Sequence, residues 1–387
     1  MKTPYYLIEE ERMLAAMEII GRVQERSGAR SVLALKCFAA WCAFDFMARY
    51  MAGTTSSSPY EARLGKEYFG GETHGYSVAF DDDEFAEVVR YCDKIIFNSL
   101  SQLERHAPTA GEISLGLRLN PEIGCSRYPL SNPVGEYSRL GVRAQRLPKG
   151  IGDRIDGAMT HVNCENDDAG SFCAQVDHIE ARFAGLLPHL RWFSFGGGIA
   201  FTDEGYDLDL FCERLRAFAT EHHLQVYLEP GEASVRDSTS LVVTVIDIVD
   251  NGVPTLIVDA GVETHLLDVL VYDFTPQLRG ARTLSRDGVG LADLDGHVYR
   301  VCGRTCLAGD HFGNFLFARP VSVGQELTFP NVGGYSIVKK NHFNGIRMPA
   351  IYHRALSGEL RLAHQPTYED FRDALTRPTT PLRPIPT

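Results

Sequence analysis

Eight short apolar segments, separated by segments with helical spacing, constrain the fold of this 387-residue chain more than any other feature. Short apolar runs without a polar face are typical of buried strands in a parallel sheet. The predicted strands are residues 32–36, 50–54, 74–78, 93–97, 113–119, 156–161, 191–195 and 225–229. A (β/α)8 barrel needs eight strands with intervening helices, whereas a doubly wound open sheet commonly has fewer. The sequence therefore predicts an α/β protein built on a TIM-like barrel.

The pattern changes near residue 234, where strand-like segments rich in Val, Ile, Thr and Phe follow one another without long helices. These predicted strands are residues 240–249, 254–258, 297–302, 313–319, 325–329 and 335–339, and residues 4–8 form another. We expect the barrel to occupy residues 9–233 and a β-rich domain to comprise residues 1–8 and 234–375. Residues 279–295 are predicted as a loop, and the proline-rich residues 376–387 as an extended tail.

Composition and charge exclude several classes of protein. The net charge of −12 argues against nucleic acid as a partner, because backbone binding needs a basic face. An acidic protein attracts cationic substrates, although solubility alone also explains such a charge. No apolar run reaches the roughly 20 residues of a membrane span. The N-terminus lacks a signal-peptide pattern and the nine cysteines form no CxxC pair, so we expect a cytoplasmic protein with reduced thiols and no metal site.

Functional groups of such a barrel lie at the C-terminal ends of its strands, and four of the predicted strands end in reactive or glycine-rich positions. Lys36 ends the first strand, His161 the sixth, Gly196–Gly198 follow the seventh, and Glu229 ends the eighth. Each has a plainer explanation on its own: a snorkelling lysine, a core histidine, a tight turn and an ion pair. Together they match the needs of pyridoxal 5′-phosphate, which takes a lysine Schiff base, backbone N–H groups for its phosphate and commonly an acidic partner for its ring nitrogen.

Six segments carry a resemblance to a known family: ALKCF, HVNCE, FGGG, EPGEA, CGRTCLAGD and NVGGYSIVKKNHFNG. In this order they resemble the fold-type III pyridoxal-phosphate-dependent decarboxylases, and among these the carboxynorspermidine branch. The resemblance extends from about residue 4 to residue 355. It implies an alanine-racemase-like barrel with a C-terminal β-sandwich or β-barrel domain.

The resemblance implies roles for residues of the barrel and of the β domain. Lys36 would form the Schiff base, His161 would stack on the cofactor ring, and Glu229 would bind the pyridinium. The remaining cofactor-binding residues would be Gly197, Gly198, Gly231 and Tyr335.

The resemblance also implies a homodimer whose active sites are shared between subunits. Cys306 and Asp310 would then come from the partner chain, with Cys306 as a catalytic residue, although a free cysteine is more often packed in a core. Arg139 lies in a segment, SRLG, that resembles a mobile active-site loop, although a plain surface turn would also explain it. Glu165, Asp273 and Asp310 are candidates for binding the ammonium groups of a small cationic substrate.

Two departures from the ornithine-type relatives agree with the carboxynorspermidine branch. Glu232 stands where those relatives have an arginine that helps to hold the phosphate. Leu307 follows Cys306, where they have an aspartate. The Tyr272–Asp273 pair, in contrast, resembles the ornithine-type enzymes.

The expected function is decarboxylation of carboxynorspermidine or carboxyspermidine to the polyamine. The first alternative is decarboxylation of ornithine, lysine, arginine or diaminopimelate. The second is a non-catalytic pyridoxal-phosphate-binding regulator, against which the β domain and Cys306 argue. A racemase is disfavoured, because racemases of this fold usually place arginine rather than a residue like Glu229 at the pyridine nitrogen.

Overall fold

The structure, a computed structural model, describes residues 1–288, 290, 291 and 294–376. Contacts between Cα atoms divide the chain into two compact units. One contains residues 9–239 together with 333–338, and the other contains residues 1–8, 240–332 and the described residues from 339 onward. The predicted tail, residues 376–387, lies outside the described residues except for its first position.

The first unit is built on a closed barrel of eight parallel strands. In chain order these are Arg30–Ala34, Gly53–Ser56, Glu72–Tyr76, Lys94–Phe97, Ser114–Asn120, Gly157–Met159, Trp192–Ser194 and Gln225–Leu228. Each strand pairs with the next, and the eighth pairs with the first, which closes the barrel. All eight predicted strands are therefore confirmed, and their observed ends differ from the predicted ones by a few residues. The barrel and the separate β-rich unit confirm the predicted fold class.

Helices connect most of the strands on the outside of the barrel. Those of this unit are Glu10–Ser27, Phe44–Met47, Pro59–Leu64, Asp82–Val88, Leu100–His106, Ala169–Phe183, Leu208–His222 and Glu232–Val235, with a π-helical turn at Gly65–Phe69. Short 3-10 helices are Trp41–Ala43, Ala107–Thr109, Pro129–Ser131, Ala144–Arg146, Ile151–Asp153 and Leu187–His189. Several begin at a side-chain cap; Asp81, for example, accepts a hydrogen bond from the Glu84 N–H at 2.8 Å. Within the described residues, no helix combines the length and apolar character that crossing a bilayer requires.

The connection between the fifth and sixth strands is the exception to this pattern. It contains only two-residue strands and 3-10 helices, the strands being Cys125–Ser126 and Val142–Arg143. Val142–Arg143 pairs with the end of the fifth barrel strand. Cys125–Ser126 pairs with Asn163–Cys164, which follows the sixth strand. This connection is thus an irregular segment held against the C-terminal ends of two barrel strands.

Within the described residues, the second unit is a nine-stranded mixed sheet. Eight strands follow one another in the spatial order Ala281–Thr283, His311–Phe317, His297–Cys302, Pro254–Val258, Thr239–Asp250, Tyr5–Glu9, Ala350–Arg354 and Leu360–His364. The ninth, Glu326–Phe329, pairs antiparallel with Thr239–Asp250. The helices are Val262–His265, Asp268–Val271 and Tyr368–Leu375, with a 3-10 turn at Phe343–Gly345.

Two predictions for this part of the chain are wrong. Residues 335–339 are a turn rather than a strand, because Tyr335 takes a left-handed backbone conformation with φ of 53° directly after two glycines. The loop predicted at 279–295 contains the short strand Ala281–Thr283, which pairs with residues 315–317. Ala350–Arg354 and Leu360–His364 were not predicted.

Candidate active site

Lys36 and His161 lie side by side at the C-terminal end of the barrel. Each follows its strand by two residues, and Lys36 Nζ is 3.3 Å from His161 Nε2. Both residues line a small cavity together with Tyr76, Met159 and Glu229. The structure therefore brings together three of the residues that the sequence selected at strand ends.

The surroundings of Lys36 favour the neutral amine. Burial lowers the pKa of Lys36, and the nearby charge of Arg118 lowers it further, while Glu229 acts in the opposite direction. Burial also lowers the pKa of His161 well below its ordinary value, with Lys36 and Arg118 adding to the effect. A neutral imidazole therefore faces an amine that loses its proton more readily than a lysine in water.

Glu229 is a buried carboxylate that a serine orients. Its side chain is 6% exposed, and Oε1 accepts a hydrogen bond from Ser194 Oγ at 2.6 Å. Ser194 Oγ in turn accepts a hydrogen bond from the Gly196 N–H at 3.1 Å. The sequence analysis did not select Ser194, because the seventh strand was predicted to end at residue 195, one position beyond its observed end.

The glycine turn after the seventh strand exposes backbone rather than side chains to the site. Gly198 has a φ of +78°, and a Cβ there would lie 2.0 Å from the Asn163 carbonyl oxygen. A Cβ on Gly197 would lie 2.3 Å from the Glu229 carbonyl oxygen. Within the described part of the chain, neither the Gly197 nor the Gly198 N–H donates a hydrogen bond. Two adjacent N–H donors of this kind suit an anionic group such as a phosphate.

Gly231 and Tyr335 lie beside the segment that follows Lys36. A Cβ on Gly231 would be 2.7 Å from Cys37 Cβ, so this position admits no side chain. The Tyr335 N–H donates to the Cys37 carbonyl oxygen at 2.9 Å. Residues 333–338 belong to the same compact unit as the barrel. Both predicted cofactor-binding residues are thus held against residue 37, one position from the lysine.

Arg118 and Tyr76 are site residues that the sequence analysis missed. Arg118 is 3% exposed; its Nη1 donates to the Tyr76 hydroxyl at 2.6 Å and its Nη2 to the His161 carbonyl oxygen at 2.9 Å. Tyr76 ends the observed third strand, but the prediction extended that strand to residue 78 and so placed Tyr76 inside it. Arg118 lies within the fifth strand, two residues before its end, where the strand-end criterion does not select it.

Asp310 is anchored within its own compact unit. It is 3% exposed, and its carboxylate accepts hydrogen bonds from the Val262 N–H at 2.7 Å, the Thr305 N–H at 2.8 Å and the Thr305 hydroxyl at 2.7 Å. These bonds tie it to the helix that begins at Val262 and to the loop around residue 305. Its contact with a substrate ammonium group stays a prediction.

The other candidates in the second unit are accessible. Cys306 is exposed, and its N–H donates to Asn344 Oδ1 at 2.6 Å. Cys306 was considered as core packing, and its exposure rules out that alternative. The Asp273 side chain is 87% exposed and forms an ion pair with Arg286, with Oδ1 and Nε 2.9 Å apart. Arg286 therefore already uses part of the capacity of the Asp273 carboxylate to bind cations.

Glu165 and Arg139 lie in the barrel unit but in different surroundings. Glu165 forms an ion pair with Arg127 at 3.2 Å and has a φ of 56°. The Arg139 side chain is exposed, while its carbonyl oxygen accepts a hydrogen bond from Asn98 Nδ2 at 2.8 Å. The structure does not place either side chain among the residues that line the cavity around Lys36.

The residues around Lys36 fit pyridoxal 5′-phosphate. They supply a buried amine with a lowered pKa, a buried carboxylate and a glycine turn with two unused N–H donors. His161 Nδ1 is a further buried polar atom without a hydrogen-bond partner among the described residues. The amine, the carboxylate and the two N–H groups match the carbonyl, the ring nitrogen and the phosphate of the cofactor, respectively.

Comparison with known proteins supports this assignment. Residues 50–333 match the family described as pyridoxal-dependent decarboxylase, C-terminal sheet domain. A carboxynorspermidine/carboxyspermidine decarboxylase from Herminiimonas arsenicoxydans is 47% identical over 376 residues, which are 97% of this chain and 100% of that protein. A carboxyaminopropylagmatine decarboxylase from Synechocystis is 34% identical over 97% of this chain and 96% of that protein.

A solved structure shows the same similarity in three dimensions. The crystal structure of carboxynorspermidine decarboxylase from Campylobacter jejuni, complexed with norspermidine, aligns with a TM-score of 0.91 and 34% identity. The alignment covers 97% of this chain and 100% of that one. The family match spans well over half of the chain, and similarity to the relatives runs through both units. The chain therefore belongs to the pyridoxal-dependent decarboxylases.

Proposed function

We propose that this protein decarboxylates carboxynorspermidine and carboxyspermidine to the corresponding polyamines and carbon dioxide, with pyridoxal 5′-phosphate as cofactor. The observation that carries the proposal is the 47% identity, over essentially the whole of both chains, to the carboxynorspermidine/carboxyspermidine decarboxylase of Herminiimonas arsenicoxydans. The geometry around Lys36 supports the same chemistry, because it offers a nucleophilic amine beside a buried carboxylate.

The proposed cofactor ligands follow from the arrangement at the strand ends. Lys36 Nζ would bond the cofactor, and Glu229, oriented by Ser194, would pair with its ring nitrogen. The N–H groups of Gly197 and Gly198 would hold the phosphate. His161 would lie against the ring, and Gly231 and Tyr335 complete the proposed set beside Cys37.

When bound, pyridoxal phosphate supplies an electron sink for the electron pair left behind by the departing carbon dioxide. The protein's own contribution is to control protons and orientation. Burial and Arg118 lower the pKa of Lys36, which favours loss of the proton that the amine must give up before it acts as a nucleophile. Glu229 would hold its carboxylate beside the ring nitrogen and stabilise a proton there. Lys36 or Cys306 would return a proton to the substrate carbon after the carboxylate has left.

We also propose a cytoplasmic homodimer in which Cys306 acts in the active site of the partner subunit. Cys306 and residues 307–309 are all exposed, which is compatible with insertion into another chain. The Asn344 side chain fixes the backbone of Cys306, so the thiol lies on an anchored segment. None of the nine cysteines, all of which lie in the described residues, forms a disulfide, as expected in a reducing compartment.

A polyamine substrate needs anionic groups for its distal ammonium centres. Asp273 and Glu165 are the accessible carboxylates among the predicted residues, and we propose both as contacts for the cationic arm. Arg139 would act through its loop rather than through its charge, since a guanidinium repels an ammonium group. The net charge of −12 would additionally draw a polycation towards the protein.

The second candidate substrate is carboxyaminopropylagmatine, because the Synechocystis relative with that activity is 34% identical over nearly the full length. That substrate belongs to the same chemical class, since it also joins an amino-acid head to a cationic arm. Guanidinium recognition would favour paired carboxylate oxygens at the far end of the site.

The decisive test is release of carbon dioxide from a panel of purified substrates. The panel comprises carboxynorspermidine, carboxyspermidine, carboxyaminopropylagmatine, ornithine, lysine, arginine and diaminopimelate. We expect kcat/KM for one of the two carboxylated spermidines to exceed that for every simple amino acid by at least about 100-fold. A preference for carboxyaminopropylagmatine would select the second candidate. A preference for a simple amino acid, or no release from any substrate, would refute the proposal.

A further inference from the structure

Asn98, directly after the fourth barrel strand, joins a loop to the interior of the barrel. It is 6% exposed, and its Oδ1 accepts hydrogen bonds from the Gly141 N–H at 2.9 Å and from the Tyr76 hydroxyl at 3.0 Å. Its Nδ2 donates to the Arg139 carbonyl oxygen at 2.8 Å. Because a backbone N–H only donates and a carbonyl only accepts, these partners fix the orientation of the amide.

Tyr76 continues this connection towards the active site. Its hydroxyl donates to Asn98 and accepts from Arg118 Nη1 at 2.6 Å, and the guanidinium lies over its ring, 5.0 Å from the centroid. The other end of the guanidinium holds the His161 carbonyl oxygen at 2.9 Å. A continuous series of hydrogen bonds therefore extends from the backbone of residues 139–141 to His161, the neighbour of Lys36.

The loop is seated on the barrel at a second point. Asn120 Nδ2, at the end of the fifth strand, donates to the Leu140 carbonyl oxygen at 3.1 Å. Gly141 has a φ of +78°, and a Cβ there would lie 3.0 Å from the Leu119 carbonyl carbon. Only glycine allows this close approach without strain. Of the two asparagines that hold the loop, Asn98 alone bonds Tyr76 among the described residues.

We propose that Asn98 is a positioning residue that couples the seating of loop residues 139–141 to the placement of Arg118 and His161. With the loop seated, the Asn98 amide is fixed and offers its oxygen to the Tyr76 hydroxyl. The phenol then accepts from Arg118, whose second nitrogen holds His161. When the loop detaches from the barrel, Asn98 loses two of its three hydrogen-bond partners. Its amide is then free to move, and it no longer fixes the Tyr76 hydroxyl. Buried hydrogen bonds in series support one another, so loss of one bond weakens the series both at the loop and at His161.

The first test measures the loop without using enzyme activity. Trypsin cleavage after Arg139 and Arg143, followed by mass spectrometry, reports how often the loop detaches from the barrel. We expect Asn98→Ala to raise this cleavage rate at least about tenfold. Tyr76→Phe, a change on a barrel strand, should also raise the cleavage rate severalfold, because the Asn98 amide then loses one of its three hydrogen bonds.

Tyr227→Phe is the matched control. It removes the hydroxyl of another barrel tyrosine, which donates to Glu72 Oε2 at 2.8 Å near the N-terminal ends of the strands. Loop cleavage in this variant should equal that of the wild type. Thermal unfolding shows whether each variant is folded. If cleavage in folded Tyr76→Phe also equals that of the wild type, the loop and Tyr76 are not coupled, and the proposal is wrong.

The kinetic test rests on the proposed function, whereas the cleavage test does not. Asn98→Ala and Tyr76→Phe should each lower kcat about tenfold, and the double variant should resemble the more impaired single variant. Independent, multiplicative effects would overturn the coupling. If no substrate is turned over, the proposed function fails while the cleavage result still decides the role of Asn98.

Discussion

The first residue-scale question is why Lys36 would be a neutral nucleophile. Burial and the charge of Arg118 lower its pKa, whereas Glu229 opposes the shift. Arg118→Gln removes a positive charge, so the pKa of Lys36 should rise and the neutral amine should become scarcer at neutral pH. We expect the rate at which apoprotein forms the imine with pyridoxal phosphate, followed by visible absorbance, to shift towards higher pH.

Arg118→Lys separates charge from hydrogen bonding. Lysine retains the positive charge but cannot reach both Tyr76 and His161 with a planar fork. The pH profile of imine formation should therefore stay close to that of the wild type in this variant. If the lysine variant shifts as far as the glutamine variant, lost hydrogen bonds rather than charge govern the pKa of Lys36.

Glu229 presents a second residue-scale question, the charge at the ring nitrogen. Glu229→Gln keeps the shape and the contact with Ser194 but removes the negative charge. We expect kcat to fall about 100- to 1,000-fold, the usual cost of removing one electrostatic contact from an active site. Ser194→Ala leaves the charge in place and should cost only about tenfold. Steady-state kinetics with the preferred carboxypolyamine measures both, and equal losses would argue against a role for the charge itself.

At the scale of elements, the N-terminal ends of the strands carry a charged cluster that favours stability. Glu72 begins the third strand; it bonds Lys94, accepts from the Tyr227 hydroxyl at 2.8 Å and pairs with Arg30 at 2.5 Å. Although burial acts in the opposite direction, hydrogen bonds from His74, Lys94 and Tyr227 keep the pKa of Glu72 low.

Glu72→Gln should lower the free energy of unfolding by about 1–3 kcal/mol at neutral pH, because it leaves the largely buried Lys94 and the more exposed Arg30 without their anion. A carboxylate with a depressed pKa stabilises the folded state above its unfolded pKa of about 4.3, and this contribution declines as pH falls below that value. The difference between wild type and variant in urea unfolding should therefore be constant above pH 5 and shrink below pH 4. Glu67→Gln, in an exposed pair with Arg63, is the control and should cost less than about 0.5 kcal/mol. A difference that persists at low pH would contradict the assignment.

Strand order and strand ends explain why much of this molecule was predictable from its sequence. Buried parallel strands leave a strong apolar pattern, and the strand-end rule alone selected Lys36, His161 and Glu229. Asn98, directly after the fourth strand, and Arg118, within the fifth, were missed because a lone polar residue has no pattern until its partners are known. The strand predicted at residues 335–339 was wrong because its β-branched residues were given more weight than the two preceding glycines. The turn that follows those glycines decides the structure there.

At the scale of the whole molecule, the proposed assembly makes each active site depend on two chains. Lys36 belongs to the barrel unit and Cys306 to the β-rich unit, on an exposed and anchored loop. A homodimer with shared sites would combine the lysine of one subunit with the cysteine of the other. Chains that are inactive for different reasons could then complement one another.

Mixing Lys36→Ala chains with Cys306→Ala chains tests this arrangement. After dissociation and random reassociation, half of the dimers are mixed, and each mixed dimer contains one site with both residues intact. Equal mixing should therefore restore about a quarter of the wild-type activity. Lys36→Ala mixed with Glu229→Gln is the control, because both changes disable the barrel of their own chain and no intact site can form. Recovery in the first mixture alone would support sharing. No recovery, in mixed dimers identified by mass spectrometry, would mean that Lys36 and Cys306 act within one chain. Cys306→Ala measured alone tests whether the thiol is needed, because a dispensable thiol would leave this variant near wild-type activity and its mixture with Lys36→Ala at about half of it.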